Sequence, residues 1–337
     1  MAVLPVYKSL DEKRDFFRNK DPKSFIIDTK ADLDKWFKEL QNEEEEESKK
    51  DATALIYRGV TEAKYKLFTS AQRLWITNEM DQWAGMNYLA FISRLIDETN
   101  KRPVVKEVFK LFGYTRDERE FPILSLLQHY GAPTPLLDWS YDINVSFYCS
   151  VDGVESRQGN AHDIGNYFSL YRMNKRSYAN ELLNIIDFAG GNYPPVAAFS
   201  DFGVRQNNPN ANSIFYVSDF EKKGESITGG KGSSRLTVKS HKPYTTVFNQ
   251  NIIPQKGMFI FNPFSTKSLE DVFNVPKLAE GSNLVLAPFE CFNIHKDLAE
   301  YLRRKLARRR DIDRSFIYPS MTDEAMKAKN EALNSLV

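Results

Sequence analysis

Cysteine and histidine are scarce in this sequence, with two cysteines and four histidines among 337 residues. Two cysteines are too few to hold together a disulfide-rich secreted scaffold, so we expect Cys149 and Cys291 to be reduced, packed thiols. The histidines are widely separated: His129, His162, His241 and His295. Because HExxH and CxxC pairs are also missing, the sequence has no zinc-site spacing and we expect no metal centre.

Long apolar runs are lacking too. Nowhere do about 18 apolar residues follow one another, the length that a membrane-spanning helix requires. Residues 1–11 contain no apolar stretch of signal-peptide length. The sequence therefore predicts a soluble cytoplasmic protein with no membrane partner.

Charges of one sign do not dominate. The chain has 46 lysines and arginines and 45 aspartates and glutamates, which gives a formal net charge of +1. This balance excludes a basic protein that coats nucleic acid and an acidic, disordered chain, so any nucleic-acid contact must be local. With 42% hydrophobic residues, the chain can bury the core of one large domain or two modest ones.

Hydrophobic periodicity predicts helices early in the chain and strands later. Four apolar residues form one helical face: Leu33, Trp36, Phe37 and Leu40. Further helices are predicted over residues 81–98 and 118–130, and after Asp142, a candidate N-cap. Strands are predicted over residues 54–57, 167–171, 213–217, 258–261 and 284–286. We expect an α+β fold with a helical N-terminal part and a mixed or antiparallel sheet core.

We divide the chain into a helical N-terminal segment over residues 1–50, a main domain over residues 51–325 and a C-terminal tail over residues 326–337. The division places the five consecutive acids Glu43–Glu47 at the end of the first segment. Such an acidic run indicates a solvated helix end or a mobile link.

Two other segments are unusual in composition. The glycine-rich stretch 224–234 predicts a surface loop, and it lacks P-loop spacing because Gly232 follows Lys231. A predicted helix carries five arginines between Arg303 and Arg310. Its basic face is either simply solvated or a contact for phosphate or RNA.

Four short motifs are the most specific feature of the sequence. They are Tyr57-Arg58-Gly59, the run from Gln128 to Ser140 (QHYGAPTPLLDWS), the run from Gln255 to Phe259 (QKGMF), and Phe316-Ile317-Tyr318-Pro319. Together they resemble the FRG domain, whose pattern has an aromatic-Arg-Gly, then Gln-His-Tyr-Gly-x-Pro-Thr-x-Leu-Leu-Asp-Trp-Thr, then Gln-x-Gly-x-Phe. The resemblance extends from residue 54 to about residue 325, and the long central motif makes it specific.

The chain departs from that pattern at four positions. Pro135 stands where an arginine is usual, which removes one phosphate ligand, whereas Ser140 replaces threonine and keeps a hydroxyl. Ser320 and Thr322 occupy the positions of two acids that usually follow the last motif.

The FRG pattern is itself similar to the layout of ADP-ribosyltransferases, with a strand-end Arg-Gly, a serine or threonine before a helix, and a later strand preceded by glutamate or glutamine. This similarity implies an ADP-ribosyltransferase-like fold with NAD as a substrate. It implies that Arg58 binds the phosphates, that Tyr130 and Trp139 stack on the ring, and that Gln255 orients the acceptor. His129 and Ser140 would bind the ribose. The other predicted cofactor-binding residues are Tyr57, Gly59 and Thr134.

The catalytic carboxylate is the open point of this interpretation. Breaking the nicotinamide–ribose bond develops positive charge on the ribose carbon, which a nearby carboxylate stabilises. Gln255, a neutral amide, stands where many transferases have glutamate. The carboxylate is then Asp138, the first candidate, or Glu270, the second, unless the domain binds a nucleotide without catalysis.

Each motif residue also has a structural explanation. Arg58 could pair with a carboxylate under the sheet, and His129 could be a hydrogen-bonded core histidine. Trp139 could simply pack in the core, while Asp138 could cap the following helix.

The leading hypothesis from the sequence is an NAD-dependent ADP-ribosyltransferase-like toxin or phage-defence effector that modifies a macromolecule, either RNA or protein. The alternative is a non-catalytic nucleotide or RNA binding module of a defence or toxin-antitoxin system, with an antitoxin as its partner. In that alternative Arg303–Arg310 matter more than Arg58. A nuclease is disfavoured because the sequence has no paired-carboxylate metal motif, and an NAD hydrolase because it too would need the missing glutamate.

Overall fold

The computed structural model describes residues 2–17, 25–50, 55–83, 87–115, 119–156, 163–174, 215–217, 249–273 and 289–334. The predicted strand over residues 284–286 and the predicted loop over residues 224–234 lie outside the described residues.

Helices account for most of the described chain. In chain order they are α1 (Leu10–Phe17), α2 (Lys30–Lys50), α3 (Ser70–Thr77), α4 (Tyr88–Lys101), α5 (Pro103–Leu111), α6 (Glu120–His129), α7 (Ile143–Val151), α8 (Leu269–Phe273), α9 (Ala299–Arg310), α10 (Arg314–Ile317) and α11 (Met321–Asn334). Short 3-10 turns occupy Met80–Gln82, Ile164–Asn166, Gln250–Ile252 and Lys296–Leu298.

One mixed sheet forms the centre of the described fold. Its strands are β1 (Ile26–Ile27), β2 (Leu55–Val60), β3 (Leu136–Ser140), β4 (Tyr167–Asn174), β5 (Phe215–Val217), β6 (Gly257–Phe261) and β7 (Phe289–His295). They lie in the order β1-β7-β4-β2-β3-β6-β5, and β1 runs parallel to β7 while the other neighbours are antiparallel. The predicted α+β class with a mixed sheet is confirmed.

The sheet opens between its two central strands. β2 pairs with β4 from Leu55 to Val60, and β3 pairs with β6 along its whole length. Between β2 and β3, by contrast, the backbone pairing recorded in the described part of the chain is the single pair Tyr57 and Ser140. The residues of β2 that follow Tyr57 are therefore not paired with β3. We call this interruption of the pairing the opening of the sheet.

Helices cover both faces of the sheet. The amphipathic face predicted at Leu33, Trp36, Phe37 and Leu40 is buried. Within it Phe37 stacks on Phe147 of α7, with the ring centroids 4.9 Å apart. The other face is covered by α1, whose Leu10 and Phe17 join the same core cluster as Trp139. The N-terminal segment therefore shares its core with the rest of the chain, and it also supplies β1 to the sheet.

The sequence placed several elements correctly and missed others. The helix expected over residues 118–130 is α6, and the strands expected near residues 167, 215 and 258 are confirmed as β4, β5 and β6. The helix expected over residues 81–98 begins only at Tyr88, because the Asn87 side chain caps it by accepting a hydrogen bond from Ala90 N. Both cysteines are free thiols, as expected.

Strand β3 is the main element that the sequence analysis did not predict. Pro133 and Pro135 indicate a turn, and β3 begins directly after them at Leu136. Leu136 and Leu137 are both buried although they point to opposite faces, so the alternation that marks a half-exposed strand is absent. A strand buried on both faces cannot be recognised by its period alone.

Candidate functional site

Arg58 occupies the opening between β2 and β3. Its Nη1 donates a hydrogen bond to the main-chain oxygen of Asp138, and the same nitrogen lies 3.9 Å from Asp138 Oδ2. Only 19% of the Arg58 side chain is exposed, and its buried Nε–H has no hydrogen-bond acceptor in the described part of the chain. The guanidinium therefore joins the two strands at this opening and keeps an unused donor.

Asp138 is held by a short chain of side-chain hydrogen bonds. Gln128 Nε2 donates to Asp138 Oδ2 at 2.8 Å, and Thr134 Oγ1 donates to Gln128 Oε1. Thr134 is fully buried, whereas 58% of the Asp138 side chain is exposed. The central motif thus aims one carboxylate at solvent beside Arg58. Gln128 is the first residue of the central motif, but the sequence analysis did not predict it as a site residue.

Arg73 is a second residue that the sequence analysis missed. It lies on α3, whose start is fixed to the central motif because Ala71 N donates to Thr134 O at 3.0 Å and Thr134 N donates to Ser70 Oγ at 2.9 Å. Arg73 Nη1 donates to Phe68 O at 2.9 Å, which turns the guanidinium back towards the start of its helix.

The charges of Arg73, Arg58 and Asp138 act on one another. The pKa of Arg73 is lowered, first by partial burial of the guanidinium and then by the positive charge of Arg58, while the Asp138 carboxylate acts in the opposite direction. Nothing in the local sequence around residue 73 indicates this placement.

Ser140 and Gln255 are joined to each other and to the C-terminal motif. Ser140 Oγ donates to Gln255 O at 2.6 Å and accepts a hydrogen bond from Asp142 N at 2.9 Å. Gln255 Nε2 donates to Ile317 O at 2.9 Å. Asp142 caps α7 through Asn144 N, as predicted. The structure therefore ties the second, third and fourth motifs together through the Ser140 hydroxyl and the Gln255 amide.

Three predicted cofactor-binding residues pack against neighbouring elements. Tyr57 is fully buried, and burial raises its pKa. Gly59 lies directly under α7, since a Cβ at this position would be 2.1 Å from Ser146 O and 2.5 Å from Ser150 N. Trp139 is 2% exposed and belongs to the core cluster on the α1 face. The predicted contacts of these residues with a cofactor remain predictions.

His129 and Tyr130 end α6 at the edge of the site. Their rings meet edge to face with centroids 4.9 Å apart, and Gly131, at φ = 76°, lets the chain turn after the helix. Tyr130 is 74% exposed. Its accessible ring is a surface on which a planar ligand can stack, whereas the ring of Trp139 is enclosed in the core.

Residues 53–159 match the FRG domain family. The chain contains an FRG domain. The matched residues include the Tyr57-Arg58-Gly59 motif and the whole central motif, so Arg58, Gln128 and Asp138 belong to the family region. The motifs at residues 255–259 and 316–319 lie beyond it. No curated protein and no solved structure matches the chain.

Cys149 of the FRG domain also lies close to this site. Its pKa is raised to about 11, mainly by burial and next by the Asp138 carboxylate, while Arg58 lowers it. A thiol with this pKa is protonated at neutral pH, so it is a poor nucleophile. The surroundings of Cys149 therefore disfavour a role as a nucleophile.

The two candidate carboxylates occupy different places in the fold. Asp138 lies beside Arg58, whereas Glu270 is 1% exposed and accepts hydrogen bonds from Leu67 N at 3.0 Å and Tyr7 Oη at 3.2 Å. Burial raises the pKa of Glu270. These bonds attach the N-terminal segment and the loop before α3 to helix α8, so Glu270 has a structural role.

Several basic side chains of helix α9 form hydrogen bonds or ion pairs within the protein. Arg303 Nη1 donates to Val151 O at 2.7 Å and Val154 O at 2.9 Å, and Arg304 Nε binds Glu300 at 2.8 Å. Lys305 pairs with Asp34 of α2. The face therefore offers less charge to a nucleic acid than its sequence suggests.

The described ranges of the chain contain no group of three or more histidine, cysteine, aspartate or glutamate side chains arranged to hold a metal ion. No helix within them has both the length and the apolar character needed to cross a membrane.

Proposed function

We propose that this FRG domain binds NAD at Arg58 and transfers its ADP-ribose unit to a macromolecule. The observation that carries the proposal is the position of Arg58 in the opening of the sheet, with an unused buried donor and an exposed carboxylate beside it. A guanidinium presents donors in a planar fork that fits phosphate oxygens.

In this proposal Asp138 is the carboxylate that the chemistry requires. When the bond between ribose and nicotinamide breaks, nicotinamide leaves with the bonding electrons and positive charge develops on the ribose carbon. A carboxylate fixed beside the phosphate-binding arginine stabilises that charge. An acceptor atom then donates an electron pair to the same carbon and releases its proton to water.

The remaining motif residues divide into two groups in this proposal. Tyr130, exposed at the edge of the site, stacks on a ring of NAD. Ser140 and Gln255 position the strands and the C-terminal motif, since their hydroxyl and amide groups are bonded within the chain. The macromolecular acceptor and the role of a toxin or phage-defence effector rest on the resemblance alone.

The test is transfer of label from NAD labelled in its adenylate half. The purified protein is incubated with the labelled NAD and a bacterial lysate, and the protein, RNA and DNA fractions are separated. Arg58→Gln is the test variant, and Arg94→Gln, at an exposed position of α4, is the matched control. We expect label in one fraction with the wild type and the control but not with Arg58→Gln. Equal labelling with Arg58→Gln would refute the assignment of Arg58.

A second candidate function is a module that binds a nucleotide without turnover. It is favoured by Gln255, whose amide is bonded to Ile317 O, and by Glu270, which is buried and bonded to Tyr7 and Leu67. Binding of NAD without label transfer and without nicotinamide release would select this function. Its RNA form is tested by Arg308→Glu on α9 with a filter-binding assay, where unchanged RNA retention would exclude it.

A further inference from the structure

We infer that Gln128 is a positioning residue, which holds the Asp138 carboxylate in the orientation that turnover requires and leaves NAD binding to other groups. The inference deepens the proposed function and rests on it for the role of Asp138 as the carboxylate that stabilises the ribose cation. Gln128 acts through Asp138 and does not touch the reacting atoms.

Gln128, Thr134 and Asp138 meet because the chain reverses direction between α6 and β3. Helix α6 ends at His129, and Gly131 adopts φ = 76° before the chain returns as β3. Gln128 Nε2 then donates to Asp138 Oδ2 at 2.8 Å, and Thr134 Oγ1 donates to Gln128 Oε1. Three polar side chains of the central motif thus form one continuous set of hydrogen bonds.

An amide at position 128 satisfies both of its neighbours. An ionised carboxylate only accepts hydrogen bonds, so the NH2 group of Gln128 must face Asp138 and its Oε1 must face Thr134. Thr134 is fully buried, and its Oγ1 also accepts from Leu136 N at 3.3 Å. The hydroxyl proton is therefore left for Gln128, and the amide cannot turn over without losing both bonds.

The bond from Gln128 distinguishes the two carboxylate oxygens of Asp138. Oδ2 accepts from Gln128 and lies 3.9 Å from Arg58 Nη1. Oδ1 accepts no hydrogen bond from the residues that the structure describes. Because 58% of the Asp138 side chain is exposed, the carboxylate would be free to rotate without this bond. Gln128 therefore fixes the carboxylate and leaves Oδ1 available to the ribose.

Orientation of the carboxylate is separable from the contact with Arg58. The Arg58 guanidinium donates to the main-chain oxygen of Asp138, which a substitution at position 128 leaves in place. Loss of Gln128 should therefore release the carboxylate and keep the arginine where it is. Misplacing a reacting group by about 1 Å can lower the rate by about 100-fold. The effect should thus appear in kcat and not in the affinity for NAD.

The experiment measures kcat for nicotinamide release and the NAD dissociation constant, by titration calorimetry, on the full chain. Gln128→Met keeps the length of the side chain without its hydrogen bonds. Gln128→Glu keeps an acceptor for Thr134 but places a second negative charge beside Asp138. Gln82→Met, at an exposed position, is the control. We expect kcat to fall by about tenfold or more in both variants at position 128, with NAD affinity within about twofold of the wild type.

Substitutions at Thr134 and Asp138 separate positioning from packing. Thr134→Ser keeps the hydroxyl that holds Gln128, so it should retain the wild-type kcat. Thr134→Val has nearly the same shape without the hydroxyl, so it should lose activity as Gln128→Met does. Starting from Asp138→Ala, the further change Gln128→Met should have no added effect, because the carboxylate that it positions is gone.

Two sets of results would overturn the inference, and they differ in what they mean for the proposed function. Nicotinamide release with unchanged kcat in both Gln128 variants, an equal loss of NAD affinity and kcat, or an additive loss in the Asp138→Ala background would refute the role of Gln128 alone. Absence of release by the folded wild type would refute the proposed function and the role of Gln128 together. A thermal melt of each variant shows that it is folded.

Discussion

Arg58 donates its hydrogen bond to the main-chain carbonyl of Asp138, while the Asp138 carboxylate stays 3.9 Å from the guanidinium. The two halves of Asp138 therefore have different tasks. Its carbonyl joins β3 to β2 where their pairing ends, and its carboxylate points to solvent at the same opening. This division leaves the carboxylate accessible to a ligand bound by Arg58.

Asp138→Asn should separate binding from turnover. Asparagine keeps an oxygen that can accept from Gln128, but it removes the charge that stabilises the ribose cation. We expect nicotinamide release to fall by about 100-fold or more, while NAD affinity changes little. Steady-state kinetics and a binding titration measure the two quantities. Glu270→Gln is the control because Glu270 lies in the core, and turnover lost in the control but kept in Asp138→Asn would reverse the choice of carboxylate.

Gly59→Ala should destabilise the protein because α7 leaves no room for a methyl group. The new Cβ would lie 2.1 Å from Ser146 O, a main-chain atom that cannot move independently of the helix. Such overpacking should lower the free energy of unfolding by about 1–3 kcal/mol, as measured by urea denaturation. At Gly165, the control, the nearest atom is a side-chain oxygen of Asp163 at 3.2 Å. An equal effect of Gly165→Ala, or lost NAD binding at full stability in Gly59→Ala, would contradict the packing role.

Ser140→Ala should reduce stability and leave ligand affinity unchanged. The substitution removes the acceptor of Asp142 N and the donor to Gln255 O in a residue that is 5% exposed. We expect a loss of about 1–2 kcal/mol in the free energy of unfolding and a smaller loss for Ser140→Thr, which keeps the hydroxyl. The NAD dissociation constant should stay within the error of the wild type. Weaker NAD binding without lower stability would show that the hydroxyl is a ligand instead.

Glu270 should make the stability of the protein fall as the pH rises. Burial raises its pKa in the folded state above the ordinary value of 4.5, so the folded protein binds its proton more tightly than the unfolded chain does. The resulting stabilisation is complete below that ordinary value and is lost as the pH rises through the folded-state pKa. The unfolding free energy of Glu270→Gln minus that of the wild type should therefore increase with pH above about 4.5. A difference that is flat across the pH range would contradict the raised pKa.

The local sequence predicted elements whose pattern depends only on near neighbours. The apolar face of α2 and the Asp142 cap of α7 are of this kind. The short motifs also placed Arg58 and Asp138 in one site, because they are parts of one family pattern. These features need no knowledge of how distant segments meet.

The remaining features depend on contacts between segments far apart in the chain. Helix α3 meets the central motif because Ser70 bonds to Thr134, about sixty positions later. Ser140 and Gln255 are 115 positions apart, and the structure joins them by a hydrogen bond. The sequence alone does not show this bond, so it favoured a ligand-binding role for both residues. Gly59 is a similar case, because the residues that pack against it belong to α7, which is distant in the sequence. Sequence patterns indicate which residues are special, and packing decides whether they bind a ligand or hold the fold.

The most direct test of NAD cleavage at Arg58 is the amount of nicotinamide that the protein releases from NAD in the presence of lysate, compared between wild type and Arg58→Gln. We expect release by the wild type and a loss of about 100-fold or more in the variant, with both proteins folded by circular dichroism. Absence of nicotinamide release by the folded wild type, or equal release by Arg58→Gln, would contradict the assignment.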